Sequence, residues 1–169
     1  MGADDLSPAF FVCVRFFLAA ADIQKIASLR IFFRKNAPGL CYTQDMITYE
    51  RFEEITYELA GLLPEVFFRN LDGGVMAREQ VKLHPQAVAD DLFILGEYHV
   101  TPHLGRFVVL YYGSFCAVFG AEEEEMIRRE MWHVLRHEFL HHLESMAGER
   151  DLEISDAVQI AGYRRSKGL

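Results

Sequence analysis

Two histidines and a glutamate in the last third of the sequence have the types and spacing needed for metal-assisted hydrolysis. His137 and His141 are four residues apart, and Glu138 directly follows the first histidine. Because an α-helix has about 3.6 residues per turn, both imidazoles would lie on one helix face and reach a single Zn²⁺ at about 2.0–2.1 Å. Glu138, beside that face, would act as general base towards a metal-activated water that attacks a peptide bond. This is the H-E-x-x-H spacing of zinc metallopeptidases.

A catalytic zinc ion needs a third protein ligand, which leaves its fourth position open to water or substrate. Gly148 is expected to end the helix and turn the chain back, which would bring Asp151 towards the metal. Glu144 is a rival, because it lies one helical turn beyond the second histidine. Glu153 and Asp156 are also within range. From the residues alone, the third ligand therefore stays open.

The segment 137–153 resembles the family of minimal bacterial zincin-like metallopeptidases. The segments 95–99 (LGEYH) and 109–115 (VLYYGSF) resemble the same family, and the resemblance extends over about residues 46–156. It implies a small α+β domain with a zincin core. The family pattern H-E-x-x-H-x-x-G-x-x-D further implies three ligands to Zn²⁺ and one general base, which here are His137, His141, Asp151 and, as the base, Glu138.

The sequence departs from that family pattern at the glycine. Gly148 is seven residues after His141 instead of three, so four residues are inserted between them. Four residues extend a helix by about one turn, or about 5.4 Å. The insertion therefore changes the geometry on which the assignment of Asp151 depends.

Several elements must position these residues, and their order predicts an α+β fold. We expect an N-terminal helix, a small mixed β-sheet, a long helix that carries the H-E-x-x-H motif, and a short C-terminal tail. Thr48 is the expected N-cap of the first helix, and Pro64 ends it. The expected strands are residues 75–83, 91–95 and 106–112, with a hairpin loop at 101–105.

Other residues near the motif have simpler interpretations. His142 is expected to pack or to support the site rather than to bind the metal, since it points about 100° away from its neighbour on the helix. Tyr163 is a candidate oxyanion donor from the C-terminal tail. Residues 106–112 are the best candidate for an edge strand that binds an extended peptide by main-chain hydrogen bonds.

The chain has 169 residues and a net charge of −8, which suits one compact domain. This acidic balance argues against nucleic acid or an anionic membrane as the main partner. Residues 1–45 have a net charge of +1 and differ in composition from residues 46–169, which carry −9. We interpret residues 1–45 as an N-terminal extension and residues 46–169 as the metallopeptidase domain. The extension either precedes the true start or is poorly ordered, or else it forms an extra helix packed on the domain; the first interpretation is favoured because the domain looks complete without it. The three cysteines form no close pair, and the apolar segment 9–21 lacks a basic start, so a cytoplasmic location is expected.

Two functions from different classes fit these features. The first is a zinc-dependent peptidase that acts on short peptides or unfolded protein segments. The second is a metal-binding protein of zincin fold that interacts or regulates without proteolysis. The presence of Glu138 favours the enzyme, because a purely structural zinc site needs no general base.

Overall fold

The computed structural model describes residues 47–88, 91–120 and 122–169, together with the backbone of a short strand, Phe10–Cys13. The rest of the predicted extension, residues 1–45, lies outside the described residues. The described chain has the expected α+β fold, with a small mixed sheet packed against a long helix.

Within the residues that the structure describes, four strands form one sheet in the spatial order β1-β3-β4-β2. They are β1 (Phe10–Cys13), β2 (Gly74–Arg78), β3 (Gly96–Thr101) and β4 (Gly105–Tyr111). β3 and β4 form an antiparallel hairpin, as the loop signal predicted, whereas β2 pairs with β4 in parallel. β1 pairs antiparallel with the other edge of β3. The expected strand at 91–95 is reduced to an isolated bridge between Leu83 and Phe93, and β3 begins directly after it.

The sheet has two faces of different composition because side chains alternate along each strand. Val108 and Leu110 of β4 point into the main core, which the first helix, α1 (Tyr49–Ala60), closes from one side. Phe107 and Val109 belong to a smaller cluster on the opposite face.

α1 begins where the sequence predicted. The hydroxyl of Thr48 accepts a hydrogen bond from the backbone N–H of Arg51 at 3.2 Å, as expected of an N-cap. Phe52 and Ile55, three residues apart, are fully buried in the main core. A 3-10 turn, Glu65–Phe68, follows Pro64.

Three further helices complete the described part of the fold. They are α2 (Tyr112–Phe119), α3 (Glu124–Ala147) and α4 (Asp151–Ser166). Gly148 ends α3 with a left-handed φ of 76°, the backbone conformation that glycine adopts without strain. The predicted short tail is thus the 16-residue helix α4, which turns back along α3. Among the helices that the structure describes, none is both long and apolar enough to cross a membrane.

α3 approaches β3 very closely at Gly96. A Cβ atom at this position would lie 2.6 Å from Cγ1 of Val134 and 3.3 Å from Cγ of Glu138. Since carbon atoms pack at about 3.5–4.0 Å, only glycine fits here. The absence of a side chain at Gly96 therefore sets the distance between the sheet and the helix that carries the motif.

Candidate metal centre

α3 brings His137 and His141 together as their spacing predicted. Their Nε2 atoms lie 3.0 Å apart on one face of the helix. The His141 side chain is 1% exposed, whereas that of His137 is 26% exposed, so the pair opens to solvent on the His137 side. Two imidazole nitrogens thus face one point at the protein surface.

Asp156 of α4 completes a cluster with the two histidines. Its Oδ2 atom lies 3.0 Å from Nε2 of His141 and 3.4 Å from Nε2 of His137. Ligand atoms at about 2.0–2.1 Å from a tetrahedral zinc ion are about 3.3–3.4 Å from each other. The three observed separations are close to this value, so the donors fit one zinc ion with little movement. Two imidazoles and one carboxylate are also a donor set that zinc binds well.

The structure does not bring Asp151 to the histidines, so the assignment that the family pattern implied needs correction. Asp151 is the exposed first residue of α4, and the carboxylate of Asp156, one helical turn and a residue further on, takes its place. The physical reason is that the four inserted residues lengthen α3, and α4 starts directly after the turn. Asp156 was among the carboxylates in range, but its spacing alone did not single it out.

The two other carboxylates considered as ligands have different roles. Both oxygens of Glu144 accept hydrogen bonds from the backbone N–H of Leu152, at 3.2 and 3.0 Å. Glu153 pairs with Arg150 at 2.5 Å, near the surface. Neither belongs to the cluster with the histidines.

Glu138 is fully buried where α3 packs against β3, and it directly follows His137 in the chain. Its side chain is in contact range of Gly96, and its exposed fraction is 0%. Burial keeps this carboxylate away from bulk water, which suits a group that must exchange a proton with a reactant. Glu138 thus faces β3 from the same helix that carries the two histidines.

The charge on Asp156 is maintained despite its burial. Burial raises the pKa of this carboxyl group, but the hydrogen bonds of His137 and His141 outweigh burial and hold the pKa below its ordinary value. The carboxylate form is the one that binds a metal ion. At neutral pH, Asp156 is therefore ready to act as an anionic ligand.

His142 and Tyr163 both lie away from the cluster. His142 Nε2 donates to the carbonyl oxygen of Arg69 at 3.0 Å, and its Nδ1 lies 3.3 Å from the hydroxyl of Tyr98. Burial is the main reason that the pKa of His142 is lowered, although the Arg69 carbonyl opposes the effect. His142 thus packs α3 against β3, as predicted.

The hydroxyl of Tyr163 binds the loop before β3 instead of the candidate site. It donates to Asp91 and accepts from the N–H of Val88 at 2.9 Å. Tyr163 therefore fixes the far end of α4 to that loop. The structure gives no support to its expected role as oxyanion donor.

The expectation that residues 106–112 form an edge strand is wrong. These residues form β4 and the start of α2, and β4 lies between β3 and β2, so its main-chain groups are paired on both sides. At Gly96, β3 packs against the α3 residues around Glu138.

A second polar cluster is centred on Glu97 of β3. This carboxylate is 2% exposed and accepts hydrogen bonds from Lys82 and from the hydroxyl of Tyr111, while His99 Nε2 lies 3.2 Å away. Burial raises the pKa of Glu97, but its three partners outweigh burial and lower the pKa overall. The same environment raises the pKa of Tyr111, first through burial and then through its bond to Glu97.

Comparison with known proteins finds a relative among the solved structures. No family model matches the chain, and no curated protein matches it. The chain is similar to a conserved hypothetical protein from Thermus thermophilus, with 37% sequence identity and a TM-score of 0.52. The match covers 60% of this chain and 98% of that protein.

Proposed function

We propose that this chain, which belongs to one family with the Thermus protein, is a zinc-dependent metallopeptidase. The single observation that supports the proposal best is the arrangement of His137, His141 and Asp156 around one point, with the buried Glu138 directly after His137 in the chain. The three donors would hold the ion. A purely structural zinc site needs no general base, so the presence of Glu138 favours an enzyme.

The proposed reaction divides the work between the metal and the protein. Zinc, when bound, supplies a Lewis acid that polarises the scissile carbonyl and lowers the pKa of the attacking water to about 7. Glu138 accepts a proton from that water as the oxygen attacks the carbonyl carbon. As the carbon–nitrogen bond breaks, Glu138 returns the proton to the leaving amine. The sum is hydrolysis of one peptide bond, with the glutamate regenerated as a carboxylate.

We propose peptides or unfolded protein segments as substrates. Of the four residues of the proposed site, only His137 has a side chain that is substantially exposed, at 26%. An opening this limited favours an extended chain over the surface of a folded protein. The acidic net charge of −8 disfavours nucleic acid and anionic membranes as partners, and the scattered cysteines favour the cytoplasm.

The proposal is tested on the full chain, supplied with zinc and freed from excess ion. Elemental analysis should find about one zinc per chain, and mass spectrometry should find cleavage products from a mixed peptide library. Glu138→Gln should retain the zinc but lose about 10²–10⁴-fold in cleavage rate, because it keeps the shape of the side chain and removes the base.

Glu149→Gln is the matched control, since Glu149 is exposed and the chemical change is the same. It should cleave like the wild type. A wild type that binds no zinc would overturn the metal site. Zinc binding without cleavage of any peptide would favour the alternative function, a metal-binding protein of the same fold that lacks proteolytic activity.

A further inference from the structure

The proposed metal ligands lie on two consecutive helices, α3 and α4, and Glu144 of α3 contacts the start of α4. Its carboxylate accepts the N–H of Leu152 at 3.2 and 3.0 Å. Leu152 is the second residue of α4, whose first N–H groups have no partner within the helix. Arg150, the N-cap residue of α4, provides no side-chain cap for these N–H groups. Glu144 therefore caps α4 from the neighbouring helix, and its negative charge suits a helix N-terminus.

Glu144 also terminates α3 through its backbone. Its carbonyl oxygen accepts the N–H of Gly148 and, at 2.9 Å, the N–H of Glu149. One residue thus closes the end of the first helix with its main chain and the start of the second with its side chain. The turn between the helices is held on both sides by the same amino acid.

The capping contact and the metal site lie on matching faces of the two helices. On α3, Glu144 follows His141 by three residues, and on α4, Asp156 follows Leu152 by four. Residues three or four apart are neighbours on one helix face, separated by about 4.5–6 Å along the axis. The bond from Leu152 to Glu144 and the contact of Asp156 with His141 are therefore two adjacent links between the helices.

We propose that Glu144 is a positioning residue for the metal site, one that holds α4 in the rotation at which Asp156 reaches the two histidines. A shift of α4 by a single residue would rotate the Asp156 side chain by about 100° and remove it from the ligand set. The capping bond opposes that shift, because Leu152 would lose its acceptor. This role rests on the proposed metal site.

The first measurement is zinc affinity, from competition between the full chain and a chromophoric chelator with zinc ion alone as the probe. Glu144→Ala should weaken zinc binding by about 10–100-fold, the range typical of residues that orient metal ligands. Glu144→Gln should lose no more than about 5-fold, because its amide oxygen still accepts the Leu152 N–H. Glu149→Ala, which removes an exposed charge close by in the sequence, should bind zinc like the wild type.

A double-mutant cycle with Asp156→Ala then separates positioning from other effects. If Glu144 acts through Asp156, Glu144→Ala should change zinc affinity by less than about 2-fold once Asp156 is already alanine. Should Glu144→Ala fail to fold, the same cycle is measured with Glu144→Leu, which also removes the acceptor of the Leu152 N–H but keeps more of the side-chain volume.

Three results would overturn the positioning role. They are wild-type affinity in Glu144→Ala, equal losses in the alanine and glutamine variants, and an undiminished loss in the Asp156→Ala background. Failure of the proposed function gives a different result, since the wild type itself would then bind no zinc.

Discussion

The close approach of β3 to α3 at Gly96 allows a prediction of both stability and activity. In Gly96→Ala, the new methyl group would meet Cγ1 of Val134 at 2.6 Å and the backbone oxygen of Val109 at 3.3 Å. Normal carbon contacts are about 3.5–4.0 Å, so the first of these contacts is too short by about 1 Å. Val134 is fully buried, and a β-branched side chain in a helix has essentially one rotamer. The helix must therefore move, because the side chain cannot.

The cost of the substitution follows from this overlap. Overpacking of this kind costs about 1–3 kcal/mol of unfolding free energy, which for a chain of this size lowers Tm by about 2–12 °C. Glu138 lies on the same part of α3, with its Cγ 3.3 Å from the new methyl position. A displacement near 1 Å at a catalytic group costs about 10²-fold in rate. Thermal unfolding and peptide cleavage rates measure the two effects.

A second substitution tests whether the cause is the named contact. Val134→Ala removes the methyl group that Gly96→Ala would strike, so the double variant should be more stable than the sum of the single effects by about 1–2 kcal/mol. Gly162→Ala is the matched control, because a Cβ atom at Gly162 has no neighbour within 4 Å. Unchanged Tm and rate in Gly96→Ala, or strictly additive effects in the double variant, would refute the reasoning.

Two further predictions concern the carboxylates. Asp156→Ala should weaken zinc binding by more than about 100-fold, which exceeds the effect of residues that only orient ligands. Asp151→Ala should bind zinc within about 2-fold of the wild type. Zinc affinity is measured by chelator competition, and a larger loss in Asp151→Ala than in Asp156→Ala would restore Asp151 as the ligand. Glu97 has a lowered pKa in the folded state, so it stabilises the fold above its ordinary pKa of 4.5, and this contribution is lost as the pH falls through the folded-state value. In urea unfolding, Glu97→Gln should lose about 1–3 kcal/mol at pH 7 and should show a flatter decline than the wild type below about pH 5. Parallel pH profiles of the two proteins would contradict this assignment.

The sequence was sufficient to predict the part of the site that a single helix determines. The pairing of His137 and His141 follows from helical periodicity alone, and the structure places their Nε2 atoms together on one face of α3. The role of Glu138 as general base stays a prediction. Gly148 also ends that helix as predicted, because few other residues adopt a φ of 76° without strain.

Asp156 was not singled out because its position depends on how two helices pack. Spacing along the chain gives no information about the rotation of α4 relative to α3. A signal was present nonetheless, since Leu152, Asp156 and Tyr163 lie on one face of an unbroken helical segment, and that face is the more buried one. The interpretation of residues 151–166 as a short tail concealed this pattern.

The wrong prediction that residues 106–112 form an edge strand has a similar cause. The strand β4 was recognised correctly from its apolar run, but strand order depends on pairings between distant segments. β2 joins β4 in parallel, over a separation of more than 30 residues, and this makes β4 internal. No local pattern in residues 106–112 encodes that pairing.

All three candidate ligands lie within residues 137–156, on one helical hairpin, and this has a consequence for the order of events in folding. His141 and Asp156 are only 15 residues apart along the chain, so bringing them together closes a short loop at small entropic cost. In contrast, Gly96 of β3, which packs against Glu138, is more than 40 residues away from it along the chain. Contacts of low sequence separation generally form faster than distant ones. If the proposed site binds zinc, the two helices would therefore offer their ligands to the ion before the sheet is assembled, and the bound ion would favour the helices against which the sheet has to pack.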